Sequence, residues 1–270
     1  MKNSLISRIS FASTLAAAVG VLAVTTQAQV ISWSFNQNGF STTGGSGLPY
    51  AGPAGVVLAS NWNDSWAENY STYSWGAPVT VNNLYDNTGT ATTTSLAYNS
   101  DNGYSIGGQP AQDADGSYNK QMLNGFLNAG PAGWGPPTTF NTISLSNIPY
   151  SQYEIIVYIS DDAAGRVALA ADGAVTYDLS TMGSAAVSGA NASFIQSSDT
   201  TGANPTADYV VFAGLNGSSQ TITVTPGDMN PNDSAWVGLA AFQIVAVPEP
   251  GTLALAALGG IGMLMFRRRH

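Results

Sequence analysis

Apolar and polar side chains alternate along short runs of this chain, a pattern typical of β-strands with one buried face. Residues 30–35, VISWSF, place an apolar side chain at every second position. Residues 153–159, YEIIVYI, are almost continuously apolar, which predicts a buried central strand. Further predicted strands are residues 79–85, 90–98, 140–145, 166–170, 174–179, 193–196, 209–212, 220–225 and 235–245. The pattern therefore predicts a chain built from short strands.

Turn sequences separate several of these runs and predict hairpins. Residues 86–89, DNTG, lie between the predicted strands 79–85 and 90–98. Residues 171–173, ADG, and residues 215–218, LNGS, carry the Asp-Gly and Asn-Gly pairs that favour tight turns. Each of these turns is expected to connect two antiparallel neighbours of one sheet.

One segment, residues 118–127 (YNKQMLNGFL), has helical periodicity, and Gly130–Pro131 would end it. Four of its apolar side chains share one helical face: Met122, Leu123, Phe126 and Leu127. We expect this helix to plug one end of the strand assembly. About ten or eleven short strands, one helix and no β-α-β rhythm predict an all-β fold. The expected architecture is a two-sheet β-sandwich with jelly-roll-like connections.

The N-terminus has the order of a secretory signal peptide. A basic region precedes an apolar stretch at residues 11–24, and residues 26–28, TQA, form a small-residue cleavage site. We expect cleavage after Ala28. Residues 1–28 are therefore predicted as the signal peptide and residues 29–246 as a single sandwich domain.

The C-terminus, residues 247–270, has an equally distinct order. It opens with two prolines around a glutamate, which resist helix and sheet pairing: Val247, Pro248, Glu249 and Pro250. Residues 253–266 are apolar, and a basic cluster follows: Arg267, Arg268 and Arg269. As a helix, residues 253–266 would reach about 21 Å, short of a hydrocarbon core of about 30 Å. A transient stop with its arginines in the cytoplasm is therefore expected; the alternative is a tail-anchored membrane protein.

This tail resembles the PEP-CTERM sorting signal of Gram-negative bacteria, also known as the ice-binding-protein C-terminal domain. In that family a membrane transpeptidase, exosortase, recognises the Pro-Glu-Pro motif and removes the tail. The resemblance implies exosortase and the inner membrane as transient partners. It implies the cell surface or the extracellular space as the destination.

The body carries a second resemblance. The sequences LSNIPYSQYEIIVYISDDAAGR, FIQSSDT and DYVVFAGLNGSSQTITV lie within residues 145–224, downstream of NWN and MLNGFL. Together they resemble a domain of exported PEP-CTERM proteins of Verrucomicrobia and Planctomycetes. The resemblance implies a galactose-binding-like jelly roll and leaves the ligand open.

Charge and composition exclude several functions of the body. Lys120 and Arg166 are its only basic residues, against fifteen acidic ones, so its net charge is −13. Such a surface repels phosphate backbones, and no nucleic acid is expected as a partner. The chain has no cysteine and a single histidine, His270. Disulfides, a Ser-His-Asp triad and a histidine zinc site are therefore excluded from the body.

The first candidate site is aromatic. Trp and Tyr rings can stack on the C–H face of a sugar while polar neighbours bind its hydroxyl groups. Residues 62–75 offer five rings near Asp64 and Glu68: Trp62, Trp66, Tyr70, Tyr73 and Trp75. We interpret them as a candidate platform that binds extracellular polysaccharide. The alternative is that the rings pack a long loop onto the sandwich, most of all Trp62.

The second candidate site is a structural calcium site. Asp113 and Asp115 lie two apart before Gly116, but the third acidic position and the distal glutamate of an EF-hand are missing. Asp161 and Asp162 form a second acidic pair. We expect one of these two to pair with Arg166. The alternative reading of both segments is solvated turn carboxylates.

The third candidate is hydrolysis by two carboxylates, which needs no histidine. Glu68, Glu154, Asp101 and Asp208 are available, but their spacing selects no pair. We therefore predict no catalytic residues and no enzymatic activity. The expected role is structural or adhesive at the cell surface or in the extracellular matrix, with weak carbohydrate binding. The alternative is a carbohydrate-active hydrolase.

Overall fold

The computed structural model describes residues 28–35, 52–64, 78–99, 103–106, 110–130, 140–227 and 236–248. Several residues singled out from the sequence lie outside these ranges. They are residues 1–27 of the signal peptide, Trp66, Glu68, Tyr70, Tyr73, Trp75, Asp101, Glu249, Pro250 and Arg267–Arg269.

The described residues form two sheets, and the predicted two-sheet sandwich is confirmed. The first sheet has the order β11-β8-β13-β1-β2, with β6 also paired to β13 and β5 paired to β6. The second has the order β10-β9-β12-β7-β4-β3. All pairs are antiparallel except β1 with β2. The bounds are β1 Val30–Ser34, β2 Asn63–Asp64, β3 Val79–Val81, β4 Ser95–Asn99, β5 Gly103–Ser105, β6 Gly125–Ala129, β7 Asn141–Ser146, β8 Tyr153–Ser160, β9 Ala164–Asp172, β10 Val175–Met182, β11 Tyr209–Leu215, β12 Gln220–Pro226 and β13 Val237–Ala246.

The main core lies between the two sheets. Alternate residues of β8, such as Ile155 and Val157, point into it from the first sheet, and Ile143 of β7 meets them from the second. The rings of Trp33, Phe35, Tyr98 and Phe242 fill the same layer at centroid distances of 5.1–6.4 Å. Each fully buried side chain of this kind stabilises the fold by about 1.5–3 kcal/mol. This packing takes the place of the disulfides that the chain lacks.

A second apolar layer covers the outer face of the first sheet. Ile156 and Tyr158 of β8 contribute to it from the sheet, and Trp62 and Met122 from the covering segments. Those segments are residues 52–62, the helix α1 (Asn119–Asn124) and the chain around a 3-10 helix at Gly183–Val187. The strands β1, β6, β8 and β13 of the first sheet are therefore buried on both faces.

This outer layer changes the reading of β1. The alternation of residues 30–35 predicted that its serines would face solvent, but all five residues of β1 are buried. Ser32 and Ser34 lie beneath the covering segments, with exposed fractions of 1% and 0%. Periodicity describes the face toward the core, whereas a second layer over the opposite face depends on distant parts of the chain.

The predicted helix over residues 118–127 is wrong in length and in place. It ends at Asn124, since the backbone becomes extended at Gly125 and continues as β6. Leu127 pairs with Leu239 of β13 and lies in the main core, whereas Phe126 lies in the outer layer. Pairing with the sheet overrides the helical period there. α1 consequently covers the outer face of the first sheet instead of plugging one end.

Two predicted hairpins are confirmed and one is wrong. Residues 86–89 turn between β3 and β4, which pair with each other, and Gly173 turns between β9 and β10. Residues 215–218 do not make a hairpin, because β11 pairs with β8 in the first sheet and β12 pairs with β7 and β9 in the second. This turn crosses from one sheet to the other.

The predicted strand at residues 193–196 is also wrong. Its residues form only an isolated bridge, between Gln196 and Tyr209. Phe194 packs instead on the rings of Tyr158 and Tyr209 in the outer layer.

Candidate functional site

The two ends of the described body meet at one end of the sandwich. β1 and β13 are antiparallel neighbours, with Val30 opposite Val245. The N–H of Ala246 donates to the carbonyl of Gln29 at 2.9 Å. The residue after the expected signal cleavage thus lies beside the last residue of β13.

Asn87 fixes the first residues of the body. Its backbone N–H donates to the carbonyl of Val30 at 2.8 Å, and its Oδ1 accepts the N–H of Val30 at 3.0 Å. Its Nδ2 donates to the carbonyl of Ala28 at 3.3 Å. The expected cleavage residue, Ala28, is therefore held against the turn at residues 86–89.

The carboxylate of Asp86 stabilises that turn. Its Oδ1 accepts the backbone N–H groups of Thr88 and Thr90 and the hydroxyl of Thr88 at 2.6–3.0 Å. Burial would raise the pKa of Asp86, but these hydrogen bonds outweigh it, and the pKa lies below its usual value. Asp86 is ionised at neutral pH, and its carboxylate is hydrogen-bonded within the turn.

The sorting motif begins where the chain leaves the sandwich. β13 is buried from Val237 to Val245, whereas Val247 and Pro248 are exposed. The N–H of Val247 still donates to the carbonyl of Gln152 at 3.0 Å. An enzyme that binds an extended peptide cannot reach an inner strand, but it can reach the exposed backbone at Val247 and Pro248.

We define the terminal face as residues 28–30, 86–90, 147–152 and 246–248. The two basic side chains of the described residues lie elsewhere: Lys120 donates to the carbonyl of Gly189, and Arg166 contacts Asp161. The terminal face therefore has no basic side chain to attract anionic lipid headgroups, and after the expected cleavage its positive charge is the α-ammonium group of Gln29.

A partly buried ion cluster lies beyond the other end of β8. Arg166 contacts Asp161 at 2.9 Å and Asp162 at 3.3 Å, so it pairs with both of the carboxylates that the sequence offered as alternatives. Its guanidinium also donates to the carbonyl of Trp236 at 3.5 Å. Burial raises the pKa of Asp161 to about 8, against the opposing charge of Arg166. The cluster joins the chain after β8 to the start of β13.

Two of the four carboxylates considered for hydrolysis, Glu154 and Asp208, lie in the described residues, and the structure shows no contact between them. Asp208 is buried, its Oδ2 accepts the N–H of Ile195 at 2.9 Å, and burial raises its pKa to about 7. Glu154 lies within β8, opposite Val245. Glu68 and Asp101 lie outside the described residues. The absence of enzymatic activity stays a prediction.

The acidic turn proposed for calcium has backbone partners in the structure. Asp113 is buried, and its two oxygens accept the N–H groups of Lys120 and Ala192. Asp115 accepts the N–H of Ser117 at 2.9 Å. Within the described ranges, no three acidic or histidine side chains are grouped closely enough to hold a metal ion. Asp113 ties α1 to residue 192, and the calcium site stays a prediction.

Of the five predicted platform rings, only Trp62 lies in the described part of the chain. It is 2% exposed, belongs to the outer layer of the first sheet, and donates its indole N–H to the carbonyl of Ala59 at 2.8 Å. Its ring is packed against the sandwich, as the alternative reading had it, and is closed to a sugar. The other four rings lie outside the described residues.

A polar cleft that the sequence did not predict adjoins the terminal face and shares Asn147 and Ile148 with it. Its lining residues are Asn82, Asn83, Thr93, Ser95, Asn147 and Ile148. They come from three separate segments, so no single stretch of sequence indicates the cleft. Asparagines next to strand ends are the only local signal, and most such asparagines serve as turn residues.

Comparison with known proteins identifies the tail and finds no match to the body. Residues 246–269 match the family described as the PEP-CTERM protein-sorting motif. No curated protein and no solved structure matches the chain. None of the described helices is long and apolar enough to cross a membrane. The motif indicates an exported protein that is processed by exosortase and directed to the cell envelope or surface, and its match starts at the last residue of β13.

Proposed function

We propose that this protein is a structural or adhesive component of the cell surface or extracellular matrix. Its tail holds it at the inner membrane until exosortase acts at residues 247–250. One observation carries the proposal: the matched motif starts where β13 ends, and Val247 is the first strongly exposed residue after that buried strand. A folded sandwich can therefore present its motif without unfolding.

The position of β13 supports processing of a folded body. β13 pairs with β8, β1 and β6, so the first sheet is incomplete until the last strand has been exported. Residues 247–252 separate β13 from the apolar run, and they can span at most about 20 Å when extended. A body anchored by this tail would hold its terminal face close to the membrane. Because this face carries no basic side chain, the tail and not a basic surface would keep it there.

The composition of the body suits a surface role. A net charge of −13 on residues 29–246 favours solubility outside the cell. Two apolar layers around the first sheet give a stable domain without disulfides. Weak binding to extracellular polysaccharide is the leading specific activity that we propose with this role.

The experiment that tests sorting compares a Gram-negative host that has exosortase with the same host lacking it. The full chain is expressed in both, and mass spectrometry and fractionation report whether the tail is present and where the protein lies. We expect tail-free protein at the surface or in the medium only when exosortase is present. The double variant Pro248→Ala, Pro250→Ala should retain its tail in the membrane fraction.

Pro149→Ala is the matched control, since Pro149 is an exposed proline on the same terminal face. It should be processed like the parent protein. Tail retention by the parent protein in the host with exosortase would refute the proposed sorting, as would normal processing of the double variant.

A further inference from the structure

The cleft missed by the sequence analysis is an open depression of about 700 Å³ at the edge of the second sheet. It lies where β3 ends, β4 begins and β7 ends. The backbone N–H of Ile148 donates to the carbonyl of Ser218 at 3.1 Å, which ties the cleft to the crossing between the sheets. Its volume is in the range of ligand sites, roughly 300–1,000 Å³.

Amide and hydroxyl groups line this cleft. Asn82, Asn83 and Asn147 supply three side-chain amides, none of which has a hydrogen-bond partner among the described residues. Thr93 and Ser95 add two hydroxyl groups, and Ile148 adds an apolar surface. None of the described residues that line the cleft carries a charged side chain. Each amide can both donate and accept, so the wall offers both kinds of hydrogen bond to a ligand.

The walls of the cleft are held in place by the backbone. Asn83 and Asn147 have φ angles of 58° and 55°, a left-handed conformation that fixes the direction of the chain at both positions. The hydroxyl of Thr93 donates to the carbonyl of Asn147 at 2.7 Å and joins two of the contributing segments. The free amides therefore project from ordered backbone, which lowers the entropic cost of binding.

This chemistry selects one class of ligand. Sugar hydroxyl groups donate and accept hydrogen bonds, and the free amides can pair with them in both senses. A phosphate or carboxylate would find no cation in the lining, and a metal ion would find no carboxylate. The cleft opens broadly to solvent, so a polymer can pass through it without threading an end.

We propose that this cleft binds a segment of a neutral polysaccharide. The proposal rests on the proposed surface function, because export is what exposes the cleft to such polymers. It places binding at the edge of the second sheet, whereas Trp62 lies in the outer layer of the first sheet. It also predicts binding without calcium, because no carboxylate lines the site.

The test measures binding of the full chain, in a detergent without a sugar headgroup, to cellohexaose, maltohexaose and a galactomannan oligosaccharide. An alginate hexamer serves as the acidic comparison. Isothermal titration is repeated with EDTA. We expect at least one neutral oligosaccharide to bind, alginate to bind at least about tenfold more weakly, and EDTA to change nothing.

The test variant is Asn83→Gly with Asn147→Gly, since glycine keeps the left-handed backbone while removing both amides. Binding should weaken about tenfold, the expected loss for two neutral hydrogen bonds. Asn204→Gly is the matched control, because Asn204 has a φ of 52° and lies outside the cleft. Its binding should equal that of the parent protein.

Unchanged binding by the double variant would overturn the proposal, as would a lack of binding to every neutral probe or a preference for alginate. Loss of binding in a Trp66→Ala, Trp75→Ala variant, with the cleft variant unaffected, would assign the ligand to the aromatic residues instead. Processing is scored separately by the mass of the exported protein. The cleft variant should lose its tail normally, so a failure of sorting and a failure of binding are told apart.

Discussion

The two sheets of this protein differ in what covers their outer faces. The first sheet has an apolar layer on each side, and β8 and β13 are buried almost throughout. The second sheet packs on the main core with one face, and β7 shows strict alternation of buried and partly exposed residues. The second sheet thus follows its local sequence pattern, whereas the first depends on a cover supplied by distant segments.

The outer layer that covers the first sheet contains polar groups that are hydrogen-bonded to one another and to the backbone. Tyr158 Oη donates to Gln243 Oε1 and accepts the N–H of Val56, and Gln243 Nε2 donates to Ser32 Oγ and the carbonyl of Val57. These bonds attach residues 52–62 to β1, β8 and β13. Gly55 has a φ of 95°, and a Cβ there would lie 2.4 Å from Gln243 Oε1, so only glycine fits this close approach.

The largest difference between the two sheets is expected when Trp62, the largest ring of the outer layer, is removed. Trp62→Ala should lower the free energy of unfolding by about 3–5 kcal/mol, because it leaves a cavity against the first sheet. Thr221→Ala, on the exposed face of the second sheet, should change it by less than about 0.5 kcal/mol. Urea unfolding of both variants measures the difference. Equal effects would mean that the outer layer contributes little.

A smaller change tests the polar attachment alone. Tyr158→Phe keeps the ring but removes the hydroxyl, so the Val56 N–H and the Gln243 side chain each lose a partner in a buried site. We expect a loss of about 1–3 kcal/mol in the free energy of unfolding and faster amide hydrogen exchange in residues 52–62. Tyr85→Phe, at an exposed ring, is the control and should alter neither measurement. Unchanged exchange in Tyr158→Phe would show that packing alone holds the cover.

The third effect concerns the pH dependence of stability. Burial raises the pKa of Asp208 to about 7 in the folded state, above the usual value near 4 in the unfolded chain. The protonated form is therefore favoured by folding, and this contribution is full below about pH 4 and is lost as the pH rises to about 7. Asp161 acts in the same direction, with the loss extending to about pH 8.

Asp208→Asn should flatten the fall in stability between about pH 4 and pH 7 by on the order of 2 kcal/mol, since its side chain stays neutral. Thermal melts across this range provide the measurement. Thr221→Ala, which removes no titratable group, is the control and should leave the slope unchanged. A parent protein whose stability rises steadily from pH 4 to pH 7 would contradict the assignment of both buried carboxyls.

The local sequence pattern predicted the structure correctly wherever the environment of a residue depends on its neighbours along the chain. β7 and β12 alternate as their sequences do, and the turns at residues 86–89 and 173 connect the strands beside them. The continuous apolar run of β8 predicted its central place between β11 and β13. The pairing of Arg166 was predictable because the body offers so few basic residues.

Long-range pairing decided what the pattern left open. Phe126 and Leu127 have helical spacing, but they lie in β6, which pairs with β13. Residues 215–218 have a hairpin sequence, but the strands on either side belong to different sheets. The cleft joins residues from three segments, and sequence proximity cannot indicate that convergence.

By itself, the sequence determined the fold class and the sorting tail, since alternation and the Pro-Glu-Pro order are properties of consecutive residues. Only the tertiary structure decided that Gln29 lies beside Ala246, that the motif begins at the last residue of a buried strand, and that three free amides meet in one cleft. The physical reason is that burial and convergence depend on which distant segments pack together. That choice follows from the sum of many weak contacts across the chain and not from any single run of residues.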